Sequence, residues 1–139
     1  MRQALAAFPN GVGLAANQFF EGNKVPRLCL INDTLVINGK YFKSPSNPNT
    51  VMHVEECLSD PGVEYIVPRY EEIIAEYWVL TEKNKLLPMC TPLTGTMAYI
   101  FQHEIDHLLG KPIWVTGRPV RQFVAPSKAT PALETQQAV

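Results

Sequence analysis

His103, Glu104 and His107 lie within Gln102-His103-Glu104-Ile105-Asp106-His107. On a helix the two histidines would stand one turn apart on one face. Two imidazoles so placed can grip one metal ion, and a glutamate beside them can reach an activated water as general base. The plain alternative is a pair of ordinary histidines on a solvated helix. The chain has only three histidines, so two of them at this spacing around a glutamate, in an apolar segment, fit chance poorly.

A catalytic metal of this kind needs a third protein ligand. Downstream of His107 there is no further His or Cys, and the one carboxylate, Glu134, sits in a polar stretch. The third ligand is therefore expected upstream, where His53, Cys29, Cys57 and Cys90 are the imidazole and thiol candidates. Cys57 precedes Asp60-Pro61-Gly62, which reads as a turn that could aim a thiolate outward. Cys29 lies in an apolar run, Val25 to Ile31, and reads as strand core. Cys90 stays open on its chemistry alone, and His53 reads as a polar surface residue or one that supports a ligand.

The elements that must hold these residues can be read from periodicity. Apolar residues at 93, 97, 100 or 101, 105 and 108 recur every three or four positions and predict a helix from Leu93 to Leu109. Thr91-Pro92 supplies a capping residue and a proline for its first turn. Val25–Asn32, Leu35–Asn38, Val51–Val54, Val63–Val67 and Glu72–Leu80 are strand candidates, the last also readable as helix. Asn38-Gly39 and Glu82-Lys83-Asn84-Lys85 read as turns, Lys43–Thr50 as a loop, and Leu86-Leu87 as a returning strand. Met1–Phe8 has helix-forming residues, stopped by Pro9-Asn10-Gly11. Val120–Ala125 reads as one docked strand or turn, and the residues beyond Ala125 as a polar tail.

The 139 residues suit one domain with one core, and the net charge of −1 announces no nucleic-acid surface. Three unpaired cysteines suggest no disulfide scaffold. No apolar run is long enough to span a bilayer, and the first residues lack a secretory core. A reducing cytoplasm is the expected compartment. Gly11 and Gly13 can admit a ligand close to the backbone, but no Gly-Lys-Ser or Gly-Lys-Thr comes after them to make a nucleotide loop.

Three stretches, in order, resemble the motifs of the peptide deformylase family. They are Gly11-Val12-Gly13-Leu14-Ala15-Ala16-Asn17-Gln18, Glu55-Glu56-Cys57-Leu58-Ser59, and Gln102-His103-Glu104-Ile105-Asp106-His107-Leu108 with Gly110 shortly after. The likeness runs from Met1 to about Val115. Asn17 stands where the family often has proline, and Glu56 where it usually has glycine. The resemblance implies an α+β fold, with antiparallel and mixed sheets around a central helix that carries the two histidines. It implies one catalytic domain over residues 1–116 and a C-terminal tail, 117–139, partly or wholly disordered. This would be a short form without most of the usual N-terminal extension and C-terminal helix. Since short members occur in viruses, a viral source, and then a host cytoplasm, is one expectation.

The implied activity is metal-dependent removal of the formyl group from N-formylmethionine at the start of nascent peptides, releasing formate. Cys57, His103 and His107 would hold one divalent ion. Fe2+ is the family's usual metal, and Zn2+, Ni2+ or Co2+ is accepted in preparations. Glu104 would be the base, while the Gln18 amide and the Leu58 N–H would face the developing oxyanion. Gly11, Val12, Gly13 and Glu56 would line the cleft, and Thr96, Tyr99 and Ile100 would wall the methionine pocket. N-formylmethionyl peptides are the expected partners, with transient ribosome proximity and a monomeric state. Glu55 and Arg69 match regular family positions, and a structural salt bridge or surface placement explains them equally well. Glu56 is expected to keep an extended backbone with its carboxylate in solvent near Glu64, disfavouring acidic residues further along a bound peptide. The competing readings are a non-catalytic metal- or peptide-binding relative and a zincin-like endopeptidase.

Overall fold

The computed structural model describes residues 13–15, 27–57 and 59–122. The strands are β1 (Gly13–Ala15), β2 (Leu28–Ile31), β3 (Thr34–Lys43), β4 (Thr50–Cys57), β5 (Asp60–Tyr70), β6 (Glu72–Leu80), β7 (Leu86–Thr94) and β8 (Arg118–Gln122). The helices are α1 (Gly95–Leu108) and the short α2 (Ile113–Thr116). One sheet has the order β1-β2-β3-β6-β7 and the other β4-β5-β8. Every described pairing is antiparallel, so the expected mixed sheet has no parallel pair among the described residues.

Local chemistry explains most of this, and also where sequence expectations moved. Glu72–Leu80 is strand, not helix: Ile73 and Ala75 are buried and point one way, and Ile74 and Trp78 the other. The turn expected at Asn38-Gly39 is instead an irregularity inside β3, where the register with β6 shifts between Ile37 and Lys40. Asn38 takes φ 50°, which asparagine tolerates. At Gly39 a Cβ would lie 2.7 Å from Ile105 Cδ1, so glycine lets the helix approach. The actual reversal is Asn32-Asp33, between the paired Ile31 and Thr34. The turn over residues 82–85 forms as expected, with Thr81 N donating to Lys85 O at 2.8 Å.

The helix begins later than its periodicity suggested. Thr91 and Pro92 belong to β7, opposite Ala75 and Ile74. β7 is an edge strand, and an edge accepts proline because the missing N–H is not needed there. Cys57 already pairs with Asp60, so Asp60-Pro61-Gly62 opens β5 instead of making the turn. Part of the expected tail also joins the fold, since residues 118–122 pair with β5 as β8. The expected Met1–Phe8 helix and the tail beyond residue 122 lie outside the described residues.

α1 lies between the two sheets. Ala98, Ile100, Phe101 and Ile105 pack with Ala15, Cys29, Ile31, Val36, Ile73 and Ala75 of the larger sheet. Each large apolar side chain so buried contributes about 1.5–3 kcal/mol. Cys57, Tyr65, Val67 and Ile113 form a smaller core. Among the described residues no helix is long and apolar enough to cross a membrane.

Candidate metal centre

In α1 every side chain from Phe101 to His107 is buried, including Gln102, His103, Glu104, Asp106 and His107. So many polar groups in an interior must find partners. Gln102 bridges to β5: its amide oxygen accepts from Tyr70 N at 2.9 Å and its amide nitrogen donates to Tyr70 O at 2.8 Å. Asp106 accepts from Arg69 Nη1 and from Tyr41 Oη, both at 2.7 Å. Arg69, itself buried, grips Glu55 with two further bonds, Nε to Oε2 at 2.7 Å and Nη2 to Oε1 at 2.8 Å. This fork fixes the plane of the carboxylate.

Glu55 then orients the first histidine. His103 Nδ1 lies 2.8 Å from Glu55 Oε1. A carboxylate can only accept, so the proton sits on Nδ1 and the lone pair on Nε2. His103 Nε2 is buried with no hydrogen-bond partner among the described residues. His107 Nε2 lies 3.0 Å from Cys57 Sγ. The three donor atoms of Cys57, His103 and His107 fall within 4.8 Å of one another. Ligands around a tetrahedral zinc-like ion, at ordinary metal–sulfur and metal–nitrogen lengths, stand roughly 3.4–3.6 Å apart. Thiol and imidazole are also the donors that such ions prefer.

Glu104 completes the cluster. It is fully buried, and neither carboxylate oxygen has a hydrogen-bond partner among the described residues. Its Oε1 stands 3.7 Å from His103 Nε2. On its other side runs the backbone of β1: a Cβ on Gly13 would lie 3.0 Å from Glu104 Cγ and Cδ. One residue of the glycine-rich stretch therefore touches the candidate base.

Burial is the largest influence on every titrating group of the cluster. Burial pushes the Cys57 thiol up to about 12, against a lowering hydrogen bond from Ser59. Burial, then His103, takes His107 down to about 3. Burial also lowers His103, against the raising influence of Glu55. Glu104 is raised well above the usual carboxylate range by burial and then by the charge of Glu55. Burial thus acts against the charged form of both His103 and Glu104. Glu55 is different: burial pushes it up, yet hydrogen bonds from Arg69, His103 and His53 together outweigh burial and hold it well below the usual range. A divalent ion reverses the logic for the donors, favouring the thiolate and the ionised Glu104.

The polypeptide deformylase family model matches residues 1–120. The chain belongs to that family. It is 36% identical over 121 residues to a peptide deformylase 2 of a Nostoc species, covering 77% of this chain and 63% of that relative. A second relative, peptide deformylase 2 of Vibrio cholerae, is 32% identical over 128 residues, covering 89% and 72%. The chain thus spans a little under two thirds of the Nostoc protein, and likewise 63% of a Dictyoglomus turgidum peptide deformylase. Among solved structures, the Plasmodium falciparum peptide deformylase in complex with inhibitor superposes with a TM-score of 0.68 at 27% identity, covering 84% and 69%. The Thermotoga maritima enzyme gives 0.67 at 29%, covering 82% and 74%. This deformylase likeness agrees with the α+β architecture described above.

The fold brings Cys57, His103, Glu104, His107 and Gly13 together. Cys29 is core and Cys90 is exposed on β7, so neither joins the donors. Gly11, Val12, Gln18 and Leu58 lie outside the described residues. Of the three helix positions expected to wall a pocket, Thr96 is exposed, Tyr99 is half-buried and Ile100 belongs to the main core. Glu56 keeps a negative φ, but its half-buried side chain does not point free into solvent: it folds back onto the hairpin, where Oε1 accepts from Gly62 N at 3.1 Å. Glu64, expected beside it near the cleft mouth, is buried in β5. Sequence reasoning missed Tyr41 and Asp106 and left Glu55 and Arg69 undecided. For Glu55, Arg69 and Asp106 the only signal was a charged residue within a largely apolar strand or helix, and Tyr41 gave none.

Proposed function

We propose that this chain hydrolyses the formyl group of N-formylmethionyl peptides, releasing formate and a free amino terminus. The observation that carries the reading is the convergence of Cys57, His103 and His107 beside a buried Glu104 whose carboxylate has no hydrogen-bond partner among the described residues. Family membership supports the same reading. Cys57, His103 and His107 would hold one divalent ion, Fe2+ by family expectation, with Zn2+, Ni2+ and Co2+ as alternatives. Such an ion supplies Lewis acidity and an attacking water that ionises near neutral pH.

The chain's own groups do the rest. Glu104 takes the proton of the attacking water at a carboxylate oxygen and delivers it to the amide nitrogen as the formyl C–N bond breaks. Water's oxygen ends in formate, and the nitrogen leaves as an amine. Glu55 keeps the His103 proton on Nδ1, so that Nε2 remains a donor. The Gln18 amide and the Leu58 N–H are assigned to the oxyanion that develops on the formyl oxygen. Gly11, Val12, Gly13 and Glu56 are assigned to the cleft, and Thr96, Tyr99 and Ile100 to the methionine side chain. A cytoplasmic monomer acting on chains as they leave the ribosome belongs to this reading.

The test uses protein purified without air and loaded with one metal. The parent should release formate from a formyl-Met peptide. Glu104→Gln should keep its metal and lose about a hundred- to ten-thousandfold in turnover. Parental turnover in that variant would refute Glu104 as the base. Cys57→Ala should lose most of the metal; full retention there, with loss on Cys90→Ala, would overturn the ligand assignment. Binding of formyl peptides without formate release by the loaded parent would favour the non-catalytic reading, and cleavage of internal peptide bonds the endopeptidase.

A further inference from the structure

β4 and α1 face each other as a ladder. Along β4, His53, Glu55 and Cys57 alternate onto one side, as period-two geometry requires. Along α1, Tyr99, His103 and His107 stand at successive turns. The residues meet in order. Cys57 Sγ is 3.0 Å from His107 Nε2. Glu55 Oε1 is 2.8 Å from His103 Nδ1. The His53 ring stacks on Tyr99, with centroids 4.1 Å apart and planes inclined by 27°.

Two strand residues advance about 6.6–6.8 Å and four helix residues about 6.0 Å, so the rungs nearly match. The mismatch accumulates along the ladder. The one register irregularity of β4 falls between Glu55 and Cys57, the last two rungs.

The third rung also reaches the second. His53 Nδ1 lies 3.0 Å from Glu55 Oε2. That carboxylate therefore has His103 and Arg69 on Oε1, and His53 and Arg69 on Oε2. Glu55 can only accept, so it selects the His53 tautomer with the proton on Nδ1. Stacking on Tyr99 restrains the plane of the donating ring.

We infer that His53, seated on Tyr99, is a positioning residue for the metal centre. It acts through Glu55 on the orientation of His103, and through the ladder on the register of the strand that bears Cys57. The inference rests on the proposed Cys57–His103–His107 metal site. Of the two readings its sequence left open for His53, a surface residue or a support for a ligand, it selects the second and names the groups through which that support acts.

The test reads Co2+ binding to the metal-free full-length chain, by its dissociation constant and by the visible and thiolate charge-transfer absorption of the bound ion. Loss of a group bonded directly to a metal ligand costs about 10- to 100-fold in affinity. His53 stands one bond further out, so about three- to tenfold weakening is expected for His53→Ala, with an altered absorption band. His53→Phe keeps the ring without the donor, and should resemble His53→Ala while preserving the fold. His53→Asn restores a donor at the same distance along the side chain, and should recover most of the affinity.

Parental affinity and spectrum in His53→Ala and His53→Phe would overturn the inference. So would a loss of affinity that merely tracks the melting temperature of the metal-free protein, and is matched by Val54→Ala on the opposite, exposed side of β4. Parental Co2+ binding by Cys57→Ala would instead break the metal reading itself, which separates the two failures.

Discussion

The two sides of α1 are held by different physics. Toward the larger sheet the helix offers Ala98, Phe101 and Ile105 to an aliphatic and aromatic core. Toward β4 and β5 it offers Gln102, His103, Asp106 and His107, each bonded or closely apposed to a named partner at 2.7 to 3.0 Å. Apolar packing is non-directional and tolerates a change of shape at modest cost. A buried polar network does not, because removing one member strands the others without water. The first side keeps the helix in place. The second sets where individual atoms point, which is what a metal and a base require.

The largest effect should come from the polar side. Arg69 carries two carboxylates, Glu55 and Asp106, in an interior where it is 2% exposed. Replacing it by methionine nearly keeps the volume and removes the cation from both acids, leaving Glu55 with His103 and His53 and Asp106 with Tyr41. The expected destabilisation is about 3–5 kcal/mol at neutral pH, read as a shift of the denaturant midpoint.

The pH dependence gives a sign. In the parent, Glu55 is held below its unfolded value, so its contribution is present above about pH 4.3 and is lost as pH falls toward the folded value. In Arg69→Met the main lowering partner is gone and burial dominates, so acid neutralises a stranded charge. The stability gap between parent and variant should therefore shrink below about pH 4. A gap that stays constant with pH would mean that Arg69 matters for its packing alone.

On the apolar side, Ile105→Ala should cost about 2–5 kcal/mol by loss of burial and a cavity, with no pH dependence of the difference. Co2+ affinity should fall little, since Ile105 faces away from the donors toward Val36, Phe101 and Gly39. Ile105→Val should cost only about 0.5–1.5 kcal/mol. A large loss of metal affinity in either variant would erase the division between the two sides.

The same contrast explains what could be read from the chain beforehand. The pair His103 and His107 is a local signal, one helical turn, and needs no knowledge of the fold. Parts of β2 to β7 were legible from apolar runs set between turn residues. The third candidate donor, Cys57, is brought to the two histidines by the hairpin of β4 and β5, whereas residue chemistry alone left Cys90 open beside it. Tyr41, Glu55, Arg69 and Asp106 were not legible as a unit. Their bonds span separations of 14, 37 and 65 residues, and Glu, Arg and Asp are ordinarily found at a surface. Two local signals misled for a common reason. Thr91-Pro92 looks like a helix start and Asn38-Gly39 like a turn, yet an edge strand accepts the proline and a strand irregularity accepts Asn-Gly.

The smallest effect concerns Glu56, which stands beside the candidate donor Cys57 but is not among the buried partners. A positive φ would have called for glycine there, and the backbone does not have one. The side chain instead closes the hairpin, with Oε1 accepting from Gly62 N at 3.1 Å, while Tyr65 Oη donates to Asp60 Oδ2 at 2.7 Å on the same reversal. Glu56→Gly removes one partly exposed hydrogen bond, worth about 0.5–1.5 kcal/mol, and adds chain entropy of about 0.5–1 kcal/mol. The expected cost is about 1–2.5 kcal/mol. Glu56→Gln keeps an acceptor at the same reach and should lose less than half of that. Because the bond braces the reversal after Cys57, Glu56→Gly should also release Co2+ slightly faster than the parent, and Glu56→Gln should not. Chemical denaturation and chelator-driven metal release on the three proteins decide it. If Glu56→Gly is as stable as the parent and holds the ion as long, the carboxylate does not brace the hairpin. The role left to it would then be the charge preference along the peptide, measurable with formyl-Met peptides bearing Lys or Glu at the third position.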